Sequence, residues 1–462
     1  MNYPLTKEIS YVDPLQLFAR FSADDGAVLL DSSQLREGCG RYSFIGVDPF
    51  SKLNSKNGVI QLNEKTIHGD PFLVLQQQLA LFSLKNHAGL PPFQGGVVGY
   101  FSYDLCHHLE KIMAVATDDM QFPDMALGFY DLVIGIDHEL KRAWIFSSGY
   151  PLQEKNARQS QAEKRCQWLA EKLKEPLVES TLSTAILTEI QSNFTAESYQ
   201  RAVQQVTDYI LSGDIFEANI SQRFKAFLPS DLTAFQLYQR LRLLNPAPFA
   251  AYLFFDDVVL ASASPERFLK LQQGKVEARP IKGTRARGAT LEQDESLAKE
   301  LMQSEKDLAE NVMIVDLLRN DLSRVCQDHS VNVPQLCGLE SYATVHHLVS
   351  VVTGTLQVNY DAVDLLRAAF PGGSITGAPK VRAMEIIAEI EPTCRGPYCG
   401  SIGYIGFNGD MDSSIVIRTY AIKNNIVTFQ AGGAVVADSD PMAEYEETLV
   451  KAKALQCALQ NL

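Results

Sequence analysis

The distribution of apolar, strand-like runs constrains this chain more than any other feature. GAVLLDSS, RYSFIGV, GVIQL, QGGVVGYFSYDL and DLVIGIDH follow one another within the first 150 residues. From Phe194 onward FAAYLFF, VVLASAS and KVEARPI are mixed with long helical stretches. Strands and helices do not alternate strictly, which predicts an α+β fold rather than a regular parallel α/β one. Gly95, Gly96 and Gly99 lie inside one of the runs. Small residues there predict close backbone approach or a bulge. The spacing predicts a helix from Glu197 to Leu211, stopped by Ser212-Gly213-Asp214. The chain divides into a β-rich region 1–150, a charged helix and polar linker 151–193, and a region 194–462 that holds most of the distinctive motifs.

Composition and charge narrow the function. Of 462 residues, 46% are hydrophobic and 21% charged, which excludes collagen-like and disordered classes. Acidic side chains outnumber basic ones 55 to 41, a net charge of -14. Such a surface repels polyanions, so neither nucleic acid nor an anionic membrane is an expected partner. An anionic substrate must then be captured by local cations or a metal. The eight cysteines form no CxxC pair and no cluster. No signal peptide or membrane-length apolar stretch is evident, and the expectation is a soluble cytoplasmic protein.

Acidic pairs are the first candidates for chemistry. SEKDLAENVMIVDLL reads as a helix with a capping-box-like start at Ser304 and Asp307. Asp307 and Glu310 share one face of it. The last helix starts at Asp440-Pro441 and places Glu444, Glu447 and Lys451 together on one side. Oxygen ligands of this kind suit Mg²⁺, but the spacing fits solvated helix faces equally well. PGGSITGAPKVRAMEII has glycines before a proline that can open a helix, a junction suited to an anion. It lacks the Lys-Ser/Thr of a Walker A loop. Lys282 falls between an apolar strand and a Gly-Thr turn. Burial alone would lower its pKa and make it a nucleophile or base. Arg418 reads as a strand residue in SSIVIRTY and requires a carboxylate partner. His346 and His347 precede an apolar strand, and Glu266 in SPERF reads as a partly buried acid.

In order, SPERF, RPIKGT, KDLAEN, HHLVS, PGGSITGAPK, GSIGY, IRT, AGG and EYEETLVKA resemble the chorismate-utilising enzymes. The resemblance is dense from Phe194 to the C-terminus and thinner in LLDSS, RYSFIG and PPFQGGVVGYFSYDL. It implies two large β-sheets packed as a sandwich with helices outside, the N-terminal region intertwined with the rest. The substrate implied is chorismate, a dicarboxylate bound with Mg²⁺. Glu310 and Glu447 would hold the ion, with Asp307 and Glu444 reaching it through water or supporting its direct ligands. The ring carboxylate would lie near Lys451, Ser374 and Thr376. Arg418, Tyr398 and the Gly432-Gly433 turn would take the enolpyruvyl carboxylate. Gly283, Thr284 and Asn219 complete the substrate set, and His347 would face the ring.

By the same resemblance Glu266 is the general acid at the C4 hydroxyl, a role that calls for a raised pKa. Lys282 stands where branches making anthranilate, isochorismate or salicylate usually carry alanine. PIKGT is the form of the branch that aminates chorismate at C4, where the lysine is thought to attack C2 first. The alternative is the anthranilate-forming branch. No Gly-x-Cys-x-Gly turn surrounds any cysteine, so a separate glutamine amidotransferase subunit would supply ammonia in a heterodimer. A tryptophan pocket is also implied, with Asp31, Ser32, Arg41, Tyr42, Ser43, Phe44, Pro246 and Phe249 as its candidates.

Overall fold

The computed structural model describes residues 2–34, 38–113, 115–176, 189–342 and 345–460. Most of the polar stretch expected as a linker, 177–188, lies outside them. Two twelve-stranded sheets dominate, and every pairing within them is antiparallel. Both draw strands from the two ends of the chain. In the first, Val28–Asp31 pairs with Phe249–Phe255, and Val258–Ser264 pairs with Thr419–Lys423. In the second, Gly96–Phe101 pairs with Ser401–Gly406. The fold is the expected α+β sandwich.

Alternation along single strands shows how the layers form. Val28 and Phe44 point into a core shared with Val98, Tyr100, Ile402 and Tyr404 of the other sheet. Their neighbours Leu29 and Ile45 point the opposite way, into a core closed by helical residues such as Phe18, Leu237 and Leu455. The second sheet's outer face, with Val97 and Phe101, is covered by Ile314, Leu318, Leu365 and Leu366. Strands buried on both faces lose the polar alternation of a half-exposed strand and read as continuous apolar runs. Gly99 meets its expectation of close approach: a Cβ there would stand 2.0 Å from Ala126 O.

The helices that carry the acidic motifs begin where the sequence places them. Ser304 caps Glu305–Ser323 by accepting from the Asp307 N–H at 3.3 Å. Asp440 Oδ1 accepts from the Ala443 N–H at 2.8 Å at the head of Pro441–Gln460. Ala196–Leu211 starts at a Thr195–Ser198 capping box and ends at Ser212. All eight cysteines are free thiols. No helix among the described residues is long and apolar enough to cross a membrane.

Candidate active site

A cavity of about 720 Å³ opens where the edges of both sheets meet the 305–323 and 441–460 helices. The strand Ile281–Ala286 delivers Lys282 to it. Its pairing with Val345–Thr355 shifts register between Ile281 and Thr284. The Gly-Thr turn expected there is thus a bulge inside a strand. Gly283 makes the bulge possible with φ +83°, and a Cβ on it would stand 2.9 Å from Asp307 Cβ. Thr284 beyond it is hydrogen-bonded to His347 Nδ1 at 2.9 Å, and both line the cavity. His346 and His347 lie within the Val345–Thr355 strand rather than before it.

Lys282 is 8% exposed, and its Nζ donates to Glu217 Oε1 at 2.8 Å, with Glu310 Oε2 at 3.7 Å. Burial pulls its pKa down, but the attraction of Glu217 and Glu310 outweighs burial and raises it. The lowered lysine pKa expected from burial alone is therefore corrected: the resting side chain is an ammonium. Glu217 is fully buried and escaped the sequence reading. A carboxylate inside the apolar run FEANI needs a cationic partner, and that signal could have found it.

Glu266 lines the same cavity, 7% exposed, and accepts from Ser374 Oγ at 2.8 Å. Burial pushes its carboxyl up to about 7, against the opposing Ser374 hydrogen bond and Lys282 charge. A carboxyl titrating near 7 can hold or release a proton at neutral pH. Tyr398 and Asn219 also line the cavity. Thr376 does not reach it; its buried hydroxyl donates to Gly372 O at 2.9 Å, while its carbonyl accepts from the Asn219 N–H at 2.8 Å.

Arg418 departs from the strand expectation. It sits between Met411–Ile415 of one sheet and Thr419–Lys423 of the other, with φ +52°. The chain crosses between sheets there, and the crossing turns the guanidinium into the cavity. Its Nη1 donates to Lys451 O, and burial lowers its pKa. Lys451 Nζ donates to Gly432 O at 2.9 Å and pairs with Glu447 at 2.6 Å.

Asp307, Glu310 and Glu447 line the cavity, whereas Glu444 and Gly433 stand just behind its wall. Each carboxylate meets a cation: Asp307 with Arg285 at 3.2 Å, Glu310 with Lys282, Glu444 with Lys306 at 3.4 Å, and Glu447 with Lys451. Among the described residues no three acidic, His or Cys side chains close on a single point. Glu444 Oε2 is nevertheless buried without a hydrogen-bond partner. A Cβ on Gly433 would stand 3.0 Å from that atom and 3.6 Å from Glu447 Oε1. An orphaned carboxylate oxygen facing a gap beside a second carboxylate fits a hard cation with oxygen ligands.

A second cavity, about 990 Å³, lies on the other side of the Phe249–Phe255 and Arg267–Gln272 strands. Asp31, Ser32, Arg41, Tyr42, Phe44 and Phe249 line it. Ser43 points away from it, into hydrogen bonds with Asp31 and His138. Pro246 faces the first cavity instead. The Asp31 carboxylate is consumed inside the protein, by Tyr238 at 2.9 Å and Arg242 at 2.5 Å.

A near-neutral acid, a buried lysine and inward-facing cations share one cavity, the equipment of an enzyme's active site. A model of the chorismate binding enzyme family matches residues 29–456. The chain belongs to that family. It is 41% identical to aminodeoxychorismate synthase component 1 of Klebsiella aerogenes, over 96% of each chain. It is 38% identical to anthranilate synthase component 1 of Geobacillus stearothermophilus, over 97% of this chain and 92% of that one. The crystal structure of anthranilate synthase component I from Streptococcus pneumoniae TIGR4 superposes with a TM-score of 0.81 at 32% identity. That match covers 90% of this chain and 92% of the other.

Proposed function

We propose that the protein aminates chorismate at C4 with ammonia, giving 4-amino-4-deoxychorismate for 4-aminobenzoate and folate synthesis. The observation that carries the reading is Lys282, delivered by a bulge into the same cavity as Glu266. Overall identity to relatives of the two kinds, 41% and 38%, is too close to choose between C4 and C2 amination. An anthranilate synthase has no use for a lysine at this point.

Glu266 donates its proton to the C4 oxygen as the C4–O bond breaks. The free Lys282 amine forms a bond to C2 with its lone pair, both ring double bonds shift by one position around the C1 side of the ring, and water leaves from C4. Glu217 and Glu310 hold the resting lysine as ammonium, so this attack follows loss of that proton. Ammonia then bonds to C4, both ring double bonds shift back, and the C2–N bond breaks with its pair returning to lysine. The added nitrogen loses one proton, and the sum is chorismate plus ammonia to product plus water. Lys451 and the Ser374 side of the cavity would hold the ring carboxylate, Arg418 and Tyr398 the enolpyruvyl carboxylate, and His347 the ring. Asp307, Glu310, Glu444 and Glu447 would hold Mg²⁺, which supplies positive charge for a substrate carboxylate when bound. The local cations draw in a dianion against the protein's net charge.

The relatives are named as component 1, and we assign this chain a glutamine amidotransferase subunit as the corresponding partner. The second cavity, floored by Phe44 and Phe249 with Arg41 stacked 5.0 Å from the Tyr42 ring, suits an aromatic amino acid such as tryptophan. Mass analysis of protein denatured after purification would reveal it. The function is tested by incubating the purified chain with chorismate, Mg²⁺ and an ammonium salt and separating the products. The expected product becomes 4-aminobenzoate only on adding a lyase. Anthranilate as the product would overturn C4 amination.

A further inference from the structure

Two acceptor atoms on the strand Glu217–Phe227 have no donor. Glu217 Oε2 and Asn219 Oδ1 are both buried without a hydrogen-bond partner, in residues 0% and 8% exposed. Residues two apart on a strand point to the same side. Here that side is the catalytic cavity: Asn219 lines it, and Glu217 reaches its wall at Lys282 through the other oxygen. A buried acceptor left unpaired is costly, and more so when it carries charge. Two such atoms on one face therefore mark a place completed by a ligand that donates hydrogen bonds.

The backbone beneath them is fixed. The Asn219 N–H donates to Thr376 O at 2.8 Å, and Asn219 O accepts from Arg395 Nη2 at 2.6 Å. That guanidinium also donates to Ile375 O at 2.9 Å and pairs with Glu391. A carboxylate oxygen and an amide oxygen unpaired on one face of a strand select a small donor-only species, and the carboxylate favours a cation.

We propose that Glu217 Oε2 and Asn219 Oδ1 form the subsite of the nitrogen co-substrate, an ammonium ion held through its N–H bonds beside Lys282. Glu217 then serves two nitrogens, one on each oxygen. The assignment rests on ammonia being the second substrate and holds whichever ring carbon receives it.

The test uses ammonium chloride as nitrogen source with the full chain, saturating chorismate and Mg²⁺. Products are identified by mass, so a failure of C4 amination is seen separately from a failure of the subsite. Asn219→Leu removes one acceptor and should raise the ammonium KM about tenfold or more, the value of one charge-assisted hydrogen bond. Because Asn219 also lines the chorismate cavity, the chorismate KM can rise as well, but by a much smaller factor than the ammonium KM. Asn219→Asp keeps an acceptor and should retain the wild-type ammonium KM or lower it. Glu217→Gln keeps an oxygen for Lys282 and should also raise the ammonium KM. A readout independent of turnover is thallium(I), an ammonium-sized cation, soaked into crystals. An anomalous peak between Glu217 and Asn219, lost in Asn219→Leu, is expected. An unchanged ammonium KM in Asn219→Leu, a change falling on chorismate instead, or no thallium at the pair overturns the proposal.

Discussion

The two large cavities lie on one framework and are lined by similar residue types, yet their charges are disposed differently. Around the second cavity several charged groups satisfy one another: Arg41 forks onto Asp137, Arg267 bridges Asp412 and Glu277, and Asp31 is taken by Arg242 and Tyr238. Around the first, acceptor atoms of Glu217, Asn219 and Glu444 stay unpaired, and a carboxyl is pushed to about 7. A site for holding can be internally neutralised. A site for chemistry keeps polar groups short of partners so that substrate, ion and protons complete it.

That contrast can be broken by mutation. Lys282→Ala should abolish C4 amination while calorimetric binding of chorismate with Mg²⁺ persists; wild-type turnover would remove the lysine from the mechanism. Glu266→Gln should lower kcat by about 10²–10⁴-fold. As the proposed general acid Glu266 must be protonated, and burial puts its pKa at about 7, so wild-type activity should fall as pH rises through 7. The glutamine variant's residual rate should lack that limb, and a limb that persists assigns it to another group.

In the second cavity the same kind of change should act on folding. Asp31→Ala leaves Arg242 without its buried partner, at a cost of about 3 kcal/mol, read as a lower Tm with unchanged chorismate KM. Asp104 sharpens the comparison further. It too is pushed to about 7 by burial, but it lies outside both cavities, accepting from the Gly396 N–H. An acid whose folded pKa is raised loses stability as pH climbs from its unfolded value near 4 to 7. Asp104→Asn should therefore melt higher than wild type at pH 8, match it at pH 4, and leave kcat untouched. Melting curves at the two pH values check it.

Much of this was legible in the sequence. Ser304 and Asp440 marked the helices that carry the carboxylates because capping is local chemistry. The ordered motifs brought Lys282, Glu266, His347, Arg418 and Lys451 to one cavity. What escaped depends on distance along the chain. Glu217 gains its meaning from a lysine 65 positions later, and nothing in FEANIS specifies that partner. The raised lysine pKa escaped for the same reason, since burial was foreseeable and the two carboxylates were not. Arg418 carries no local mark of its left-handed backbone; the sheet crossing imposes it. Pro246 faces the first cavity and Phe249 the second because the two share the wall built by residues 246–251, a division no local signal marks.

The central claim is that Lys282 bonds to the substrate before ammonia does. Rapid mixing of the chain with chorismate, Mg²⁺ and ammonium, acid quenching within the first turnover and peptide mass analysis test it directly. The peptide containing Lys282 should transiently gain the mass of chorismate less one water, and lose it as 4-amino-4-deoxychorismate appears. Product formation with that peptide unmodified throughout the turnover would contradict it.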